Sequence, residues 1–188
     1  MDSKKQWRQT ILEKRQQLDP RFVREASEKI ESAFLSLEEF NLAERVGLYS
    51  AFCNEVETVG IFAKAHAFRK EVYYPAVDKN TQEICFYRVK SPKDLEAGFG
   101  GILEPKKKTH PLKNVNFLNL IVIPGIAFDK MGNRIGFGHG FYDKLLAPFR
   151  GKRVALAYEF QICDSLPAQT RDQRMDIIVT EERVLRIV

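Results

Sequence analysis

The sequence contains few cysteines, no long apolar run and none of the standard phosphate-binding signatures. Its three cysteines, Cys53, Cys85 and Cys163, lie far apart and form no Cys-x-x-Cys pair. This spacing argues against a disulfide framework and a zinc site, and it favours a reducing compartment. No stretch approaches the roughly 20 apolar residues of a membrane span, and the charged N-terminus lacks the apolar core of a signal peptide. We therefore expect a cytoplasmic protein without a membrane partner.

The chain has enough apolar residues to bury a core. Of its 188 residues, 44% are apolar and 29% are charged, and the net charge is +5. The composition is typical of a globular protein, and the length predicts a single domain over residues 1–188. A positive charge favours anionic partners, either nucleic acid or small molecules. Because the basic residues are dispersed and no nucleic-acid motif is present, we expect small-molecule ligands and no nucleic acid. We also expect a monomer.

The spacing of apolar residues predicts alternating helices and strands. Helical spacing indicates a helix over residues 3–18 and another that begins at Pro20, with Asp19 as its N-cap. A polar turn at Asn80 joins two predicted strands into a hairpin. The pattern predicts an α/β fold: a mostly parallel twisted sheet with helices on both faces, Rossmann-like and three-layered, with some antiparallel edge strands. The predicted strands cover residues 46–49, 71–75, 83–89, 118–123, 153–158, 176–179 and 184–188.

A glycine-rich segment follows an apolar run in the second half of the chain. Gly136, Gly138 and Gly140 stand at alternate positions just before a helical pattern begins. Glycine allows positive φ and close backbone approach, and a helix N-terminus offers unpaired N–H groups, so the segment predicts a phosphate site. Arg134 before the glycines could bind a phosphate, and Asp143 after them could hold magnesium against it. Alternatively, the glycines only form a tight turn and Asp143 only favours the helix start.

The glycine spacing matches no common nucleotide-binding signature. A P-loop would need Gly-x-x-x-x-Gly-Lys-Ser/Thr, and a kinase loop would need its lysine, HRD and DFG companions. A dinucleotide fold would place Gly-x-Gly-x-x-Gly directly after a strand, and the third spacing here differs. Glu159 nevertheless lies about 20 residues further on, as that fold requires. A nicotinamide or flavin site therefore remains an alternative.

Three other groups of polar residues are candidate ligand contacts. Lys4 and Arg8 lie one helical turn apart, and they either form a solvated basic face or bind an anion. Glu55 and Glu57 follow the first predicted strand, in the loop where strand–loop–helix units bind ligands. They could equally favour the start of the next helix. The lysines at positions 106–108 are interpreted as a solvated loop or as a contact for an acidic ligand tail.

Two motifs in order resemble those of a known family. PGIAFD, at residues 124–129, leads to GNRIGFGHGFYD, at residues 132–143. This pattern resembles the 5-formyltetrahydrofolate cyclo-ligase family, also called methenyltetrahydrofolate synthetase. The resemblance extends over nearly the whole chain, as one full-length domain. It is supported by Lys4-x-x-x-Arg8, by the EVET segment at residues 55–58 and by Asp176.

The resemblance implies an activity and a set of site residues. The family converts 5-formyltetrahydrofolate to 5,10-methenyltetrahydrofolate with ATP and Mg²⁺, and the lysines at positions 106–108 could attract a polyglutamate tail on the folate. The implied ATP contacts are Lys4, Lys5, Arg8, Arg134, Ile135, Gly136, Phe137, Gly138, His139, Gly140, Phe141 and Tyr142. The implied folate contacts are Arg8, Ser50, Glu55, Phe137, Gly138, His139, Gly140 and Phe141. The implied magnesium ligands are Asp143 and Asp176, and the implied catalytic residues are Arg134 and Tyr142.

The resemblance is incomplete at two positions, and two other functions compete with it. His139 stands where relatives often carry Lys, Arg or Gly, and Phe141 replaces a frequent Tyr. A sugar-phosphate isomerase or a CoA-transferase-like protein on a similar sheet would bind phosphate without consuming ATP. A basic RNA-binding domain would instead show a steep salt dependence of binding.

Overall fold

The chain forms helices and strands at most of the positions that its apolar pattern predicts. The structure is a computed structural model that describes residues 3–78, 81, 83–106 and 110–187. The α-helices are α1 (Lys4–Gln16), α2 (Pro20–Leu35), α3 (Glu38–Leu42), α4 (Val59–Ala67) and α5 (Phe141–Leu146). The strands are β1 (Arg45–Gly47), β2 (Glu71–Asp78), β3 (Glu83–Arg88), β4 (Leu95–Ala97), β5 (Leu103–Pro105), β6 (Leu120–Ile123), β7 (Ala127–Asp129), β8 (Arg134–Ile135), β9 (Lys152–Leu156), β10 (Ile162–Cys163), β11 (Ile177–Val179) and β12 (Val184–Arg186).

The first two helices begin where local signals predict. Ser3 caps α1, because its side chain accepts a hydrogen bond from the backbone of Gln6 in a capping box. Asp19 caps α2 by accepting from the backbone N–H of Arg21 at 2.7 Å, and Pro20 is the first helical residue. The predicted start at Pro20 is therefore confirmed. In the described part of the chain, no helix combines the length and the apolar character needed to cross a bilayer.

The central sheet has seven strands in the order β12-β11-β9-β6-β1-β2-β3. Neighbours from β11 to β2 pair in parallel. Strands β12 and β3 pair antiparallel at the two edges. The prediction of a mostly parallel sheet with antiparallel edge strands is confirmed. The hairpin β2–β3 is also confirmed, although its predicted turn residue Asn80 lies outside the described residues.

The two faces of the sheet are covered differently. On one face, Ile30 of α2 and Ile61 of α4 pack against strand residues that include Val46 of β1. On the other face, Leu146 of α5 and Phe149 pack against β6 and β9. Because α5 has only six residues, irregular chain completes this second face. The finer prediction of a Rossmann-like, three-layer arrangement stays a prediction.

A separate small sheet holds α1 beside the glycine-rich segment. Its strands lie in the order β10-β7-β8. Ile11 of α1 packs there with Ile126, Ile135 and Leu166. Sequence analysis missed all three strands, each of which has only two or three residues. This packing brings the polar face of α1 to the loop before α5.

Candidate active site

A pocket of about 640 Å³ lies beyond the carboxyl ends of β1 and β6. Tyr49 and Ser50, which follow β1, and Pro124, which follows β6, form part of its wall. The β2–β3 hairpin contributes Val77 and Ile84. Open parallel sheets bind ligands at this edge, and small-molecule sites commonly have volumes of about 300–1,000 Å³.

Most of the predicted site residues line this pocket. Lys5 does not: it is exposed and lies outside the wall. Successive residues of an α-helix point about 100° apart, so Lys4 faces the pocket while Lys5 faces water. The predicted residues that line the pocket are Lys4, Arg8, Ser50, Glu55, Arg134, Ile135, Gly136, Phe137, Gly138, His139, Gly140, Phe141, Tyr142 and Asp143.

The glycine loop, residues 136–140, has a backbone that only glycine adopts readily. Gly138 and Gly140 have φ values of 103° and 69°, in the left-handed region that disfavours side chains. Gly140 immediately precedes α5. Arg8 Nε donates to the carbonyl of Gly136 at 2.7 Å, so α1 supports the loop from one side. The backbone of the glycine loop therefore lines the pocket, and the Arg8 guanidinium lies beside it.

Arg134 organises the residues that follow the glycine loop. It is buried, with Nη2 donating to Asp143 Oδ1 and Nη1 donating to the carbonyl of Pro124, each at 3.2 Å. Its guanidinium carbon lies 5.5 Å from the centre of the Tyr142 ring. Asp143 Oδ1 also accepts from the backbone N–H of Gln173 at 3.4 Å. Arg134 thus holds both the carboxylate and the phenol that sequence analysis singled out.

Lys4 reaches the pocket together with an acidic residue that was not predicted. Its Nζ lies 2.5 Å from Asp172 Oδ2, and the two residues are 168 positions apart. The same carboxylate oxygen accepts from the backbone N–H of Gln169 at 2.8 Å. No local motif marks Asp172, so the sequence carried no signal for it. We call Lys4, Arg8 and residues 134–143 the loop end of the pocket.

A buried carboxylate also lines the pocket. Glu55 is 7% exposed, and its Oε2 accepts from the backbone N–H of Phe52 at 3.1 Å. Among the described residues, Oε1 has no hydrogen-bond partner. Burial raises the pKa of Glu55 to about 7, and the nearby Arg15 guanidinium opposes that rise. A donor on a ligand could therefore satisfy Oε1.

Arg15 is the functional residue that sequence analysis missed at this side. It lies on α1, is fully buried, and forms an ion pair with Glu55. A signal was present, because Lys4, Arg8 and Arg15 follow a spacing of i, i+4 and i+11, which places all three on one helical face. Tyr49 and Glu55 line the pocket, and Arg15 lies behind Glu55. We call these three residues the buried end.

Three aromatic rings stand between the two ends on the open side. The His139 and Phe141 rings stack 5.2 Å apart at an angle of 15°. Phe99 meets each of them edge-on, at 6.2 Å. Phe99 was also missed by sequence analysis. These rings could contact a flat ligand that spans the pocket.

Two other predicted ligand contacts have limited support from the geometry. Ser50 lines the pocket, but its hydroxyl donates to the carbonyl of Leu103 at 2.7 Å. Of the lysines at positions 106–108, Lys107 and Lys108 lie outside the described residues. Lys106 is exposed and does not line the pocket. The contact of this lysine run with an acidic tail stays a prediction.

Comparison with known proteins identifies the family. A family model described as the 5-formyltetrahydrofolate cyclo-ligase family matches residues 1–181. The chain belongs to this family. It is therefore a ligase enzyme, which decides against the isomerase and CoA-transferase alternatives.

Individual cyclo-ligases share most of the chain. A 5-formyltetrahydrofolate cyclo-ligase from Haemophilus influenzae is 32% identical over 160 residues, which are 82% of this chain and 86% of the relative. The solved 5,10-methenyltetrahydrofolate synthetase of Aquifex aeolicus is 38% identical, with a TM-score of 0.87, and the match covers 98% of this chain and 92% of that one. The Mycoplasma pneumoniae synthetase is 27% identical, with a TM-score of 0.77 and coverage of 96% and 99%. The mixed α/β fold is thus common to these proteins.

The cyclo-ligase pocket contains carboxylates suited to magnesium but not a complete set of protein ligands. Asp143 and Asp172 both line the wall. Over the residues that the structure describes, no group of three or more His, Cys, Asp or Glu side chains is arranged to hold a metal. Mg²⁺ commonly binds one or two carboxylates and takes its other ligands from phosphate oxygens and water. The donor set therefore fits a magnesium ion that arrives with a phosphate.

The predicted second magnesium ligand, Asp176, is corrected by the structure. Its Oδ2 accepts from the backbone N–H of Arg153 at 2.7 Å. It immediately precedes β11, at the amino end of a strand parallel to β9 and β6, whereas the pocket lies beyond the carboxyl end of β6. Asp176 consequently does not line the cyclo-ligase pocket. The carboxylate that reaches the loop end from this segment is Asp172, four residues earlier.

Proposed function

We propose that this chain, acting as one catalytic domain, cyclises 5-formyltetrahydrofolate to 5,10-methenyltetrahydrofolate with ATP and Mg²⁺, releasing ADP and phosphate. One observation supports the proposal most strongly. A single pocket joins a glycine loop flanked by cationic side chains to a buried carboxylate, one oxygen of which has no hydrogen-bond partner among the described residues. The first suits the phosphates of ATP, and the second suits the N–H groups of a reduced pterin ring.

The chemistry needs an activated formyl group. An N-formyl amide is a weak electrophile at carbon, because its nitrogen donates electron density into the carbonyl. Transfer of the γ-phosphoryl group of ATP to the formyl oxygen releases ADP and makes that oxygen part of a leaving group. N10 of the folate then attacks the formyl carbon and closes the ring. N10 loses its proton, the C–O bond breaks, and phosphate departs with the former formyl oxygen and that proton.

The residues of the loop end fit the requirements of phosphoryl transfer. Such transfers depend on positioning and charge neutralisation more than on a protein nucleophile. Lys4, Arg8 and the backbone of residues 136–140 would bind the phosphates. Arg134 would face the transferred group, with Tyr142 between the nucleotide and the folate.

The loop end also contains a carboxylate, that of Asp143, for the expected metal. Asp143 would hold Mg²⁺, with phosphate oxygens and water as the remaining ligands. When bound, the ion would neutralise phosphate charge and orient the γ-phosphoryl group. The contacts of Asp143 with Arg134 Nη2 and Gln173 N orient one carboxylate oxygen and so position the side chain.

A direct assay tests the proposed function. Purified protein is mixed with 5-formyltetrahydrofolate, ATP and Mg²⁺, and the absorbance of the methenyl product is followed while ADP is measured in the same sample. We expect one ADP per methenyl product, and no product when ATP or Mg²⁺ is omitted. Absence of product with all three present, across pH and substrate concentration, would overturn the proposal. Product formed without ATP consumption would overturn the proposed mechanism.

A further inference from the structure

A fully buried guanidinium lies behind the carboxylate at the buried end. Arg15 is 0% exposed, and a buried charge is unfavourable unless its donors are paired. Nε donates to the carbonyl of Cys53 at 2.8 Å and Nη2 to that of Phe52 at 3.2 Å. Nη1 makes a longer contact, 3.4 Å, with the carbonyl of Gly125. Two of these three carbonyls belong to the loop that carries Glu55.

That loop has a backbone conformation that needs support. Cys53 and Asn54 are consecutive non-glycine residues with φ values of 49° and 54°. This left-handed conformation is unfavourable for residues with a Cβ. Asn54 Nδ2 also donates to the backbone carbonyl of Arg15, at 2.9 Å. Arg15 therefore holds the loop through both its side chain and its backbone.

The ion pair leaves one oxygen of Glu55 available. Arg15 Nη1 lies 3.6 Å from Glu55 Oε1, which is close enough for electrostatic attraction but too long for a hydrogen bond. Within the described chain, Oε1 has no other hydrogen-bond partner, although the side chain is buried. The arrangement supplies an opposite charge to a carboxylate that lines the pocket, without a hydrogen bond to its Oε1.

We propose that Arg15 is the positioning residue for Glu55: it fixes the loop that carries Glu55 and supplies the positive charge opposite its carboxylate, while Oε1 accepts a hydrogen bond from the ligand. This inference rests on the proposed function, in which the ligand at Oε1 is the reduced folate. Arg15 acts through Glu55 and does not itself touch the reacting atoms.

The surroundings of Glu55 give this role a measurable signature. The groups that face its carboxylate are Arg15 from α1, Tyr49 after β1 and Tyr142 from α5. Burial raises the pKa of both tyrosines, so they are neutral near pH 7. Burial also raises the pKa of Glu55 to about 7, against the lowering effect of Arg15. Without the arginine charge this pKa rises further, and Glu55 becomes protonated at neutral pH.

Two substitutions separate the charge of Arg15 from its hydrogen bonds. Arg15→Gln keeps N–H donors for the loop carbonyls but removes the positive charge. Arg15→Lys keeps the charge but removes the planar guanidinium group with its fixed N–H donors. The dissociation constant of 5-formyltetrahydrofolate is measured by calorimetry without ATP, from about pH 6 to 9. We expect wild-type affinity to weaken as pH falls through about 7. In Arg15→Gln, the loss of affinity on lowering the pH should begin at a pH about one unit or more above that of the wild type. Arg15→Lys should show the wild-type pH dependence with a weaker affinity at every pH.

Arg153→Gln is the matched structural control. Its guanidinium also donates to two backbone carbonyls, those of Leu146 and Phe149, but these do not belong to the loop that carries Glu55. We expect it to lower the thermal midpoint without displacing the pH dependence of binding. Glu55→Gln should remove the pH dependence near 7, which shows that Glu55 is the titrating group.

The outcomes keep the two proposals distinguishable. Identical pH dependence in wild type and Arg15→Gln overturns the positioning role, whether or not product forms. Binding by the wild type without ATP-dependent product overturns the proposed function alone, and absence of binding overturns both. If Arg15→Gln does not fold, the Arg15→Lys variant decides. A wild-type pH dependence of folate binding in Arg15→Lys supports the proposal, and a displaced pH dependence contradicts it.

Discussion

The loop end and the buried end of the pocket differ in how their charges meet water. At the loop end, the side chains of Lys4 and Asp172 are 21% and 14% exposed, and the glycine loop between them and α5 is largely exposed. At the buried end, the side chains of Arg15 and Glu55 are 0% and 7% exposed. Both ends contain an oppositely charged pair, but solvent reaches the Lys4–Asp172 pair more than the Arg15–Glu55 pair.

This difference indicates two kinds of recognition within one pocket. A partly exposed pair is screened by water and exchanges partners at little cost, so Lys4 can leave Asp172 for a phosphate. A buried pair cannot re-pair so easily, and the environment changes its protonation instead. The loop end is therefore suited to binding a charged group of a ligand. The buried end is suited to accepting a hydrogen bond from a donor on the ligand. Four predictions test this contrast, from the largest expected effect to the smallest.

The largest effect should come from Asp143→Asn at the loop end. Loss of the proposed metal ligand should lower kcat by about 100- to 1,000-fold. The fold should be retained, because the asparagine oxygen can still accept from Arg134, now 3.2 Å from Asp143 Oδ1. Initial rates of methenyl formation at saturating ATP and Mg²⁺ measure this. Asp176→Asn is the control and should keep wild-type kcat; equal losses in the two variants would contradict the placement of the metal at Asp143.

The second effect is a pH dependence of stability from the buried end. The pKa of Glu55 is raised from 4.5 to about 7, so between these values the folded state binds a proton that the unfolded state has lost. The free energy of unfolding contributed by Glu55 should fall as pH rises through this window, by at most about 3 kcal/mol. Urea unfolding near pH 5 and pH 8 should show a larger loss in wild type than in Glu55→Gln. Equal losses in both proteins would contradict the burial of an ionisable Glu55.

The third effect separates the two substrates. Glu55→Gln should raise KM for 5-formyltetrahydrofolate by about 10- to 100-fold, because an amide is a weaker acceptor than a carboxylate and presents a donor of its own. KM for ATP should change by less than about twofold, since the proposed phosphate contacts are Lys4, Arg8 and the glycine loop rather than Glu55. Steady-state rates with each substrate varied in turn measure both values. A larger effect on ATP than on folate would reverse the assignment of the two ends.

The smallest effect should come from a single partly exposed charge. Lys4→Ala should raise KM for ATP by about two- to fivefold, because exposed charge pairs contribute only modestly. Lys5→Ala is the neighbouring control and should leave KM unchanged, since Lys5 lies outside the pocket. The same ATP-dependent rates measure both variants. If the two lysines behaved alike, general charge attraction rather than contact in the pocket would explain the effect of Lys4.

Much of the fold was predictable because its signals are local. The Asp19–Pro20 start of α2 depends on a hydrogen bond between residues two positions apart. The edge hairpin and the parallel strands have apolar patterns long enough to reveal their type. Strands β7, β8 and β10 lie outside the longer apolar runs of the sequence, so they and the position of α1 were not predicted.

The candidate site was predictable to the extent that its residues share a motif. The glycine loop and Asp143 stand close together in the chain, and family resemblance added Lys4, Arg8 and Glu55. Arg15 belongs to no such motif, since its partners Phe52 and Gly125 lie 37 and 110 residues away. Asp176 was assigned to the metal by resemblance, and only the position of β11 showed that it lies elsewhere.

By itself, the sequence determined the helices, the longer strands and a loop rich in glycine, because these depend on spacing and on bonds between near neighbours. The tertiary structure alone decided which charges meet. It brings Lys4 to Asp172 across 168 residues, buries Arg15 against Glu55, and leaves Asp176 at the amino end of β11, outside the pocket. The physical reason is that burial and charge pairing depend on elements that approach only when the whole chain has packed.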